Sequence, residues 1–415
     1  MNILKRIVAV SGLLALTALA LNAQQNLFVA QDIESPVVHE DGSVTFNFLA
    51  PDARKVQISG DFVAKTEEVQ HVNGMVGAGL LSMTKGEDGV WTYTTSPLPS
   101  ELYSYEFIVD GVPTIDPNNV YVYRDFATIT NVFLVGGGQA DLYKVNDVPH
   151  GTMHYCWYDS EAIGTDRRLS IYTPAGYEQS GQSYPVLYLL HGMGGDEGEW
   201  VSFGRTAQIM DNLIAQGLAE PAIVVMPNGH AGMEAAPGES SLGYYKPHYM
   251  DHGTMDGVFE TSFPEIINYV ETNYRVKADK ASRAIAGLSM GGFHAAVISM
   301  NNPDLFDYVG VFSSTLLLRD IAASTLGEES QNGDDSREAV YGDNETKLKV
   351  QFADKTPKLY WLGIGSDDFL YERNAMFRAL LDEKGYGYEF LETPGAHVWT
   401  CWRTYLSIFA QKIFK

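Results

Sequence analysis

The stretch 283-RAIAGLSMGGFHAAVISM-300 decides the fold. An apolar run of strand character, 283-RAIAG-287, leads to Ser289, and small and apolar residues of helical character follow from Gly292. Glycines stand two positions before the serine and two after it. A strand-to-helix turn tight enough to push a hydroxyl outward brings those two positions together, and glycine at both removes the collision. The stretch therefore predicts a nucleophile elbow, with Ser289 beyond the carboxyl edge of a mainly parallel sheet.

The neighbouring segments share this grammar. The runs 185-PVLYLLHG-192, 222-AIVVMPNG-229, 308-YVGVFS-313 and 358-KLYWLGIGS-366 are continuously apolar, as in strands buried on both faces. Helical spacing over 206–217, 263–274 and 370–385 alternates with them, which predicts an α/β fold. A serine hydroxyl needs a base to become a nucleophile. His397, in 392-ETPGAHVWTCW-402, follows the strand-like 387-GYEFLE-392, and Asp367 and Asp368 end the apolar run in 360-YWLGIGSDDFLYE-372. The order Ser, Asp, His is the one this fold uses. An oxyanion needs donors. The N–H of Met290, directly after the serine, and that of Met193, in the glycine-rich loop 191-HGMGG-195, are the candidates. Singly, each piece has an ordinary alternative: a surface histidine, a helix-capping aspartate, a tight turn. Their compatible order points to a serine hydrolase.

Two other regions read differently. Residues 30–136 hold short alternating segments such as 43-SVTFNFLAP-51, 55-KVQISGDF-62 and 103-YSYEFIVDGV-112, punctuated by Asp-Gly and Gly-Asp pairs, and predict an all-β, immunoglobulin-like sandwich. Residues 137–150 read as a linker to a hydrolase domain over 151–415. At the front, Lys5 and Arg6 precede the apolar run 7-IVAVSGLLALTALAL-21. Fifteen helical residues rise only about 22 Å, short of a bilayer core, so residues 1–23 are expected to be a cleaved signal peptide rather than a membrane anchor. Export to the periplasm or medium follows from it.

The net charge of −24 argues against nucleic acid, whose phosphates need a cationic face. The two cysteines, Cys156 and Cys401, leave a disulfide open as one pairing. No CxxC or HExxH spacing supports zinc, and no cofactor is called for. His230, His248, Asp251, His252 and Asp256 fall in the long segment 228–257, which reads as a substrate-contact loop rather than a metal site.

Four segments carry a resemblance: 187-LYLLHGMGGDEGEW-200, 283-RAIAGLSMGGFHAA-296, 363-GIGSDDFLYE-372 and 394-PGAHVWTCW-402. Over roughly residues 150–415 they resemble the esterase D-like α/β-hydrolases, which include carbohydrate esterase family 1 with its feruloyl and acetylxylan esterases, and enterochelin esterase-like proteins. The resemblance implies the acid at Asp368, the last residue of a G-x-x-D segment, with Asp367 second. It also implies oxyanion donors at Met193 and Met290. The front region resembles a family 48 carbohydrate-binding domain through 43–62, 87–98 and 105–119, but the Asn-x-Trp that usually follows Gly-Asp-Phe is replaced by 63-VAKTEEVQHVNGMVGAGLL-81. A packing or lid role for this domain stands beside sugar binding.

The combination resembles exported esterases acting on xylan. Feruloylated, then acetylated, xylan oligosaccharides are the expected substrates. Trp200, Tyr244, Tyr245, Trp399 and Trp402 are candidates for an aromatic pocket. Core packing is the alternative for Trp399 and Trp402, which share helical spacing with Tyr405, Leu406 and Phe409. A siderophore or other small acyl ester is the alternative substrate, and a non-catalytic carbohydrate-binding protein the alternative class.

Overall fold

The computed structural model describes residues 33–70, 76–125, 128–233, 235, 239, 255–316 and 339–415. The leader segment 1–23, Tyr244, Tyr245, His248, Asp251 and His252 lie outside them. Among the described residues no helix is long and apolar enough to cross a membrane.

The front region is built by period-two alternation. Strand Val44–Leu49 turns Val44, Phe46 and Phe48 inward and leaves Thr45, Asn47 and Leu49 half-buried. It pairs with Val37–Val38 on one side and Val90–Thr94 on the other, and Thr84–Lys85 completes that antiparallel sheet. The facing sheet runs Val122–Asp125, Thr128–Val135, Glu101–Val109, Val56–Gly60, Leu81–Ser82. Between them the core is aromatic: Phe46 lies 4.9 Å from Tyr105 and 5.4 Å from Phe133, and Phe48 lies 4.7 Å from Phe107, between ring centroids. Such tilted and edge-on contacts add about 0.5–1.5 kcal/mol each beyond area burial.

The second region is one eight-stranded sheet. Its strands are β1 (Thr152–Ser160), β2 (Thr165–Thr173), β3 (Val186–Leu190), β4 (Ile223–Pro227), β5 (Arg283–Leu288), β6 (Tyr308–Phe312), β7 (Leu359–Gly365) and β8 (Glu389–Thr393). Their spatial order is β1-β2-β4-β3-β5-β6-β7-β8, antiparallel at β1, β2 and β4 and parallel from β4 onward. Every residue of β3, β4, β5, β6 and β7 is buried, which explains sequences that are apolar throughout apart from Arg283 at the start of β5. Helices α1 (Thr206–Ala215), α2 (Val258–Asn273), α3 (Met290–Asn301), α4 (Tyr371–Lys384) and α5 (Trp399–Ala410) cover the two faces in two separate clusters. This is the α/β-hydrolase fold, preceded by a β-sandwich.

The two regions share a core. Leu102, Val132, Ala140 and Tyr143 from the front half pack into the cluster that holds Leu187, Trp200 and Trp402. The segment expected as a linker carries a 3-10 turn, Gln139–Tyr143, in which Ala140 and Tyr143 are fully buried. Arg205 donates from Nε and Nη2 to the Tyr143 carbonyl at 3.0 and 2.8 Å. Deeper in the seam, Arg403 on α5 donates to Glu101 Oε1 at 2.8 and 3.1 Å and to the carbonyls of Leu102 and Phe203 at 2.8 and 2.9 Å. The interface is a packed wall rather than a hinge.

Candidate active site

Ser289 sits between β5 and α3 with φ 51° and ψ −119°, a conformation costing a non-glycine residue about 1–3 kcal/mol. The surroundings hold it there. Its N–H donates to Phe312 O at 2.9 Å, and its carbonyl accepts from Ser314 Oγ at 2.6 Å. A Cβ on Gly287 would lie 2.4 Å from the Gly291 carbonyl carbon, and one on Gly291 would lie 2.4 Å from the carbonyl oxygens of Leu190 and His191. Both glycines are therefore required by backbone contact, as the spacing predicts.

Parallel pairing brings the ends of β5, β6, β7 and β8 to the same edge, and backbone bonds tie their loops together. Ser313 N–H donates to Gly363 O at 2.7 Å, Ser366 N–H to Thr393 O at 2.8 Å and Asp367 N–H to Gly395 O at 2.9 Å. This places the loop after β7 against the loop after β8. His397 Nδ1 lies 2.9 Å from Asp368 Oδ2 and 3.0 Å from Oδ1. A carboxylate only accepts, so Nδ1 carries the hydrogen and Nε2 is left as the acceptor. Asp368 is buried and also accepts from Leu370 N–H at 2.9 Å, which fixes its rotamer. Asp367 is exposed and does not reach the imidazole. The ring of His397 is flanked by Phe369 at 4.5 Å and Trp402 at 5.0 Å. Ser289 Oγ makes no hydrogen bond among the described residues, so serine and imidazole are not joined here. Such contacts often tighten only around substrate.

Met193 lies in the turn closed by Gly195 N–H on Gly192 O at 3.1 Å, and Met290 N–H opens α3. Neither N–H is bonded by the described protein, so both are available as donors at the elbow. The turn is pressed onto the elbow, since a Cβ on Gly192 would lie 2.4 Å from Leu288 Cδ1 and 3.3 Å from Ser289 Cβ. His191 straps it from behind. Its Nδ1 lies 2.7 Å from Gly192 O and its Nε2 accepts Gly229 N–H at 2.8 Å, so the ring is neutral with Nδ1 protonated. Nothing in the residue pattern distinguished His191 from the glycines beside it.

Burial lowers the His191 pKa to about 4, against partial relief from its bond to Gly192. The unfolded chain binds that proton first, so stability falls as pH drops from about 6.5 toward 4, by up to about 1.4 kcal/mol per pH unit. Urea denaturation at pH 7 and pH 5 should show wild type losing this increment relative to His191→Gln. An equal gap at both pH values would show that the ring does not stay neutral in the fold.

The aromatic candidates divide. Trp200 is a correction: it is 1% exposed, and its Nε1 donates to Leu190 O at 2.9 Å, so it is core beneath the site. Its apolar neighbours, Phe312 and Trp399, enclose a ring that the sequence placed beside the loop. Trp402 is buried under His397, in line with core packing. Trp399 is half-buried, stacked on Phe203 at 5.5 Å. His230 is buried, and no metal-holding group of His, Cys, Asp and Glu exists among the described residues. Both cysteines are free: Cys156 contacts Tyr274 Oη, and Cys401 is buried near Pro394 O.

A family model described as "Putative esterase" matches residues 160–411. The chain is 29% identical over 389 residues to a protein of Xylanibacter ruminicola named endo-1,4-beta-xylanase/feruloyl esterase. That match takes in 92% of this chain and 46% of the relative, so the chain spans less than half of that relative's length. A solved structure named ferulic acid esterase superposes with TM-score 0.50 at 27% identity, over 64% of this chain and all of that one. The enterobactin esterase of Shigella flexneri superposes with TM-score 0.59 at 16% identity, over 92% of this chain and 94% of its own. That last likeness is one of fold, and it extends through both halves.

Proposed function

Because the chain belongs to this esterase family, we propose that it is an exported serine ester hydrolase that removes feruloyl groups, and secondarily acetyl groups, from xylan or its oligosaccharides. The observation that carries the chemistry is the buried Asp368 bonded to His397 Nδ1 at the same sheet edge as the strained Ser289. Ser289 Oγ attacks the ester carbonyl while His397 Nε2 takes its proton. The N–H groups of Met290 and Met193 receive the oxyanion. As the carbonyl re-forms, the C–O bond to the alcohol breaks, and His397 returns the proton to the departing oxygen. Water then repeats the sequence on the acyl-enzyme, releasing the acid and restoring Ser289. The feruloyl and xylan parts of the reading are supported by the Xylanibacter relative, whose similarity runs through the sandwich as well as the hydrolase.

A panel of unactivated esters tests it: methyl ferulate, methyl acetate and enterobactin, compared by kcat/KM. Methyl ferulate is expected to lead by at least about tenfold, the discrimination an apolar pocket supplies for a larger group. A lead for enterobactin would move the substrate to siderophores. Failure of a fluorophosphonate to label Ser289 would remove the mechanism.

A further inference from the structure

A cavity of about 330 Å³ lies in the seam between sandwich and hydrolase, and one of its walls is His397. That volume is at the lower end of the roughly 300–1,000 Å³ usual for small-molecule sites. The hydrolase side offers Phe203 and the half-buried Trp399. The sandwich side offers Asp61, Asp125, Thr128 and Thr130. The lining reaches His397 but not Ser289, so the cavity begins one step beyond the scissile bond on the histidine side.

That position identifies which half of an ester it faces. The imidazole must lie against the leaving oxygen in order to protonate it, so whatever extends past His397 is the alcohol portion. The lining chemistry then narrows the alcohol. Asp61 is exposed at the cavity wall. Its Oδ2 is taken by Ser104 N–H at 2.8 Å and Ser104 Oγ at 2.7 Å, and no described group bonds Oδ1. The Thr130 hydroxyl donates to Tyr105 O at 3.1 Å and that of Thr128 to Asp125 O at 3.1 Å, so both keep lone pairs to accept. Arg403, the one Lys or Arg among the described lining residues, is already engaged by Glu101 and two carbonyls. The wall is thus rich in acceptors with an aromatic surface opposite, which suits a neutral group with several hydroxyls and disfavours an anion.

We propose that the β-sandwich completes the leaving-group subsite, with Asp61, Thr128 and Thr130 accepting hydrogen bonds from a sugar alcohol that packs on Trp399. This rests on the ester-hydrolase reading above and adds which half of the substrate the front region recognises. The sandwich is then part of the catalytic domain's specificity, not a separate tether to polymer.

The test compares the full-length protein with Asp61→Asn and Thr130→Val on two esters of one acid: methyl ferulate and 5-O-feruloyl-arabinose. In wild type the sugar ester is preferred. In each variant the ratio of kcat/KM, sugar ester over methyl ester, is expected to fall about three- to tenfold, chiefly through a higher KM for the sugar ester, the effect of one lost hydrogen bond. Thr130→Val keeps shape and strand propensity, so a folding defect in the Asp61 variant would not decide the matter alone. If both folded variants keep the wild-type ratio within twofold, the subsite assignment is overturned while the esterase reading stands. If wild type hydrolyses neither ester, the reading itself fails and takes the subsite with it.

Discussion

Ser289→Ala is expected to lower kcat by about 10⁴- to 10⁶-fold on any ester the protein accepts, since removing the nucleophile disables the Ser–His–Asp unit as a whole. Stability should barely change. Ser289 Oγ bonds to nothing in the described structure, while the backbone bonds to Phe312 and from Ser314 that hold the elbow survive the substitution. Alanine meets the same positive φ as serine, so no new strain enters. Steady-state kinetics with methyl ferulate and a thermal melt check the two halves together. Activity within tenfold of wild type in a folded variant would show that the hydroxyl is not the nucleophile, whatever the family.

The second large effect concerns the seam. Arg403→Ala is expected to destabilise the protein by about 3–5 kcal/mol, because it strands Glu101 in a buried site and leaves the Leu102 and Phe203 carbonyls without their donor. Burial already pushes the Glu101 carboxyl upward despite the guanidinium beside it, so the lone acid would take up a proton rather than remain charged. The double variant Glu101→Gln/Arg403→Met removes both charges and should recover part of the loss. Chemical denaturation of the two variants and wild type measures this. A double variant no more stable than Arg403→Ala would locate the cost in lost packing of the long arginine stem instead.

How far the sequence disclosed this molecule depended on the kind of constraint involved. The elbow was legible because glycine at 287 and 291 answers a backbone collision, and few other needs produce that spacing. The buried strands β3 to β7 were legible because burial on both faces writes an apolar run, here unbroken apart from Arg283. The edge hairpin of β1 and β2 was not. In β1 exposed Tyr155, Trp157 and Asp159 alternate with half-buried Cys156 and buried Tyr158 and Ser160, so aromatic residues fall on both faces and polarity does not mark the alternation. Helix α2 starts at Val258, earlier than its apolar spacing suggests, with Pro264 tolerated inside it. Trp200 was misjudged because proximity to the glycine-rich loop 191–195 in sequence says nothing of direction, and its ring turns inward onto Leu190 O. Asp61, Arg403 and Glu101 could not be found at all: each gains its meaning from a residue far away in the chain, and pairing across a domain seam leaves no local pattern.

The buried turn at Gln139–Tyr143 has a further consequence. Tyr143 is fully buried in the hydrolase's core, so a cut placed just after it would remove a plug, not a tether, and leave helix α1 and the Arg403 guanidinium beside an opened void. Exchange of front halves between such enzymes would have to leave this turn with the hydrolase. Transplants spliced upstream of residue 137 keep the plug and are the ones that should stay soluble.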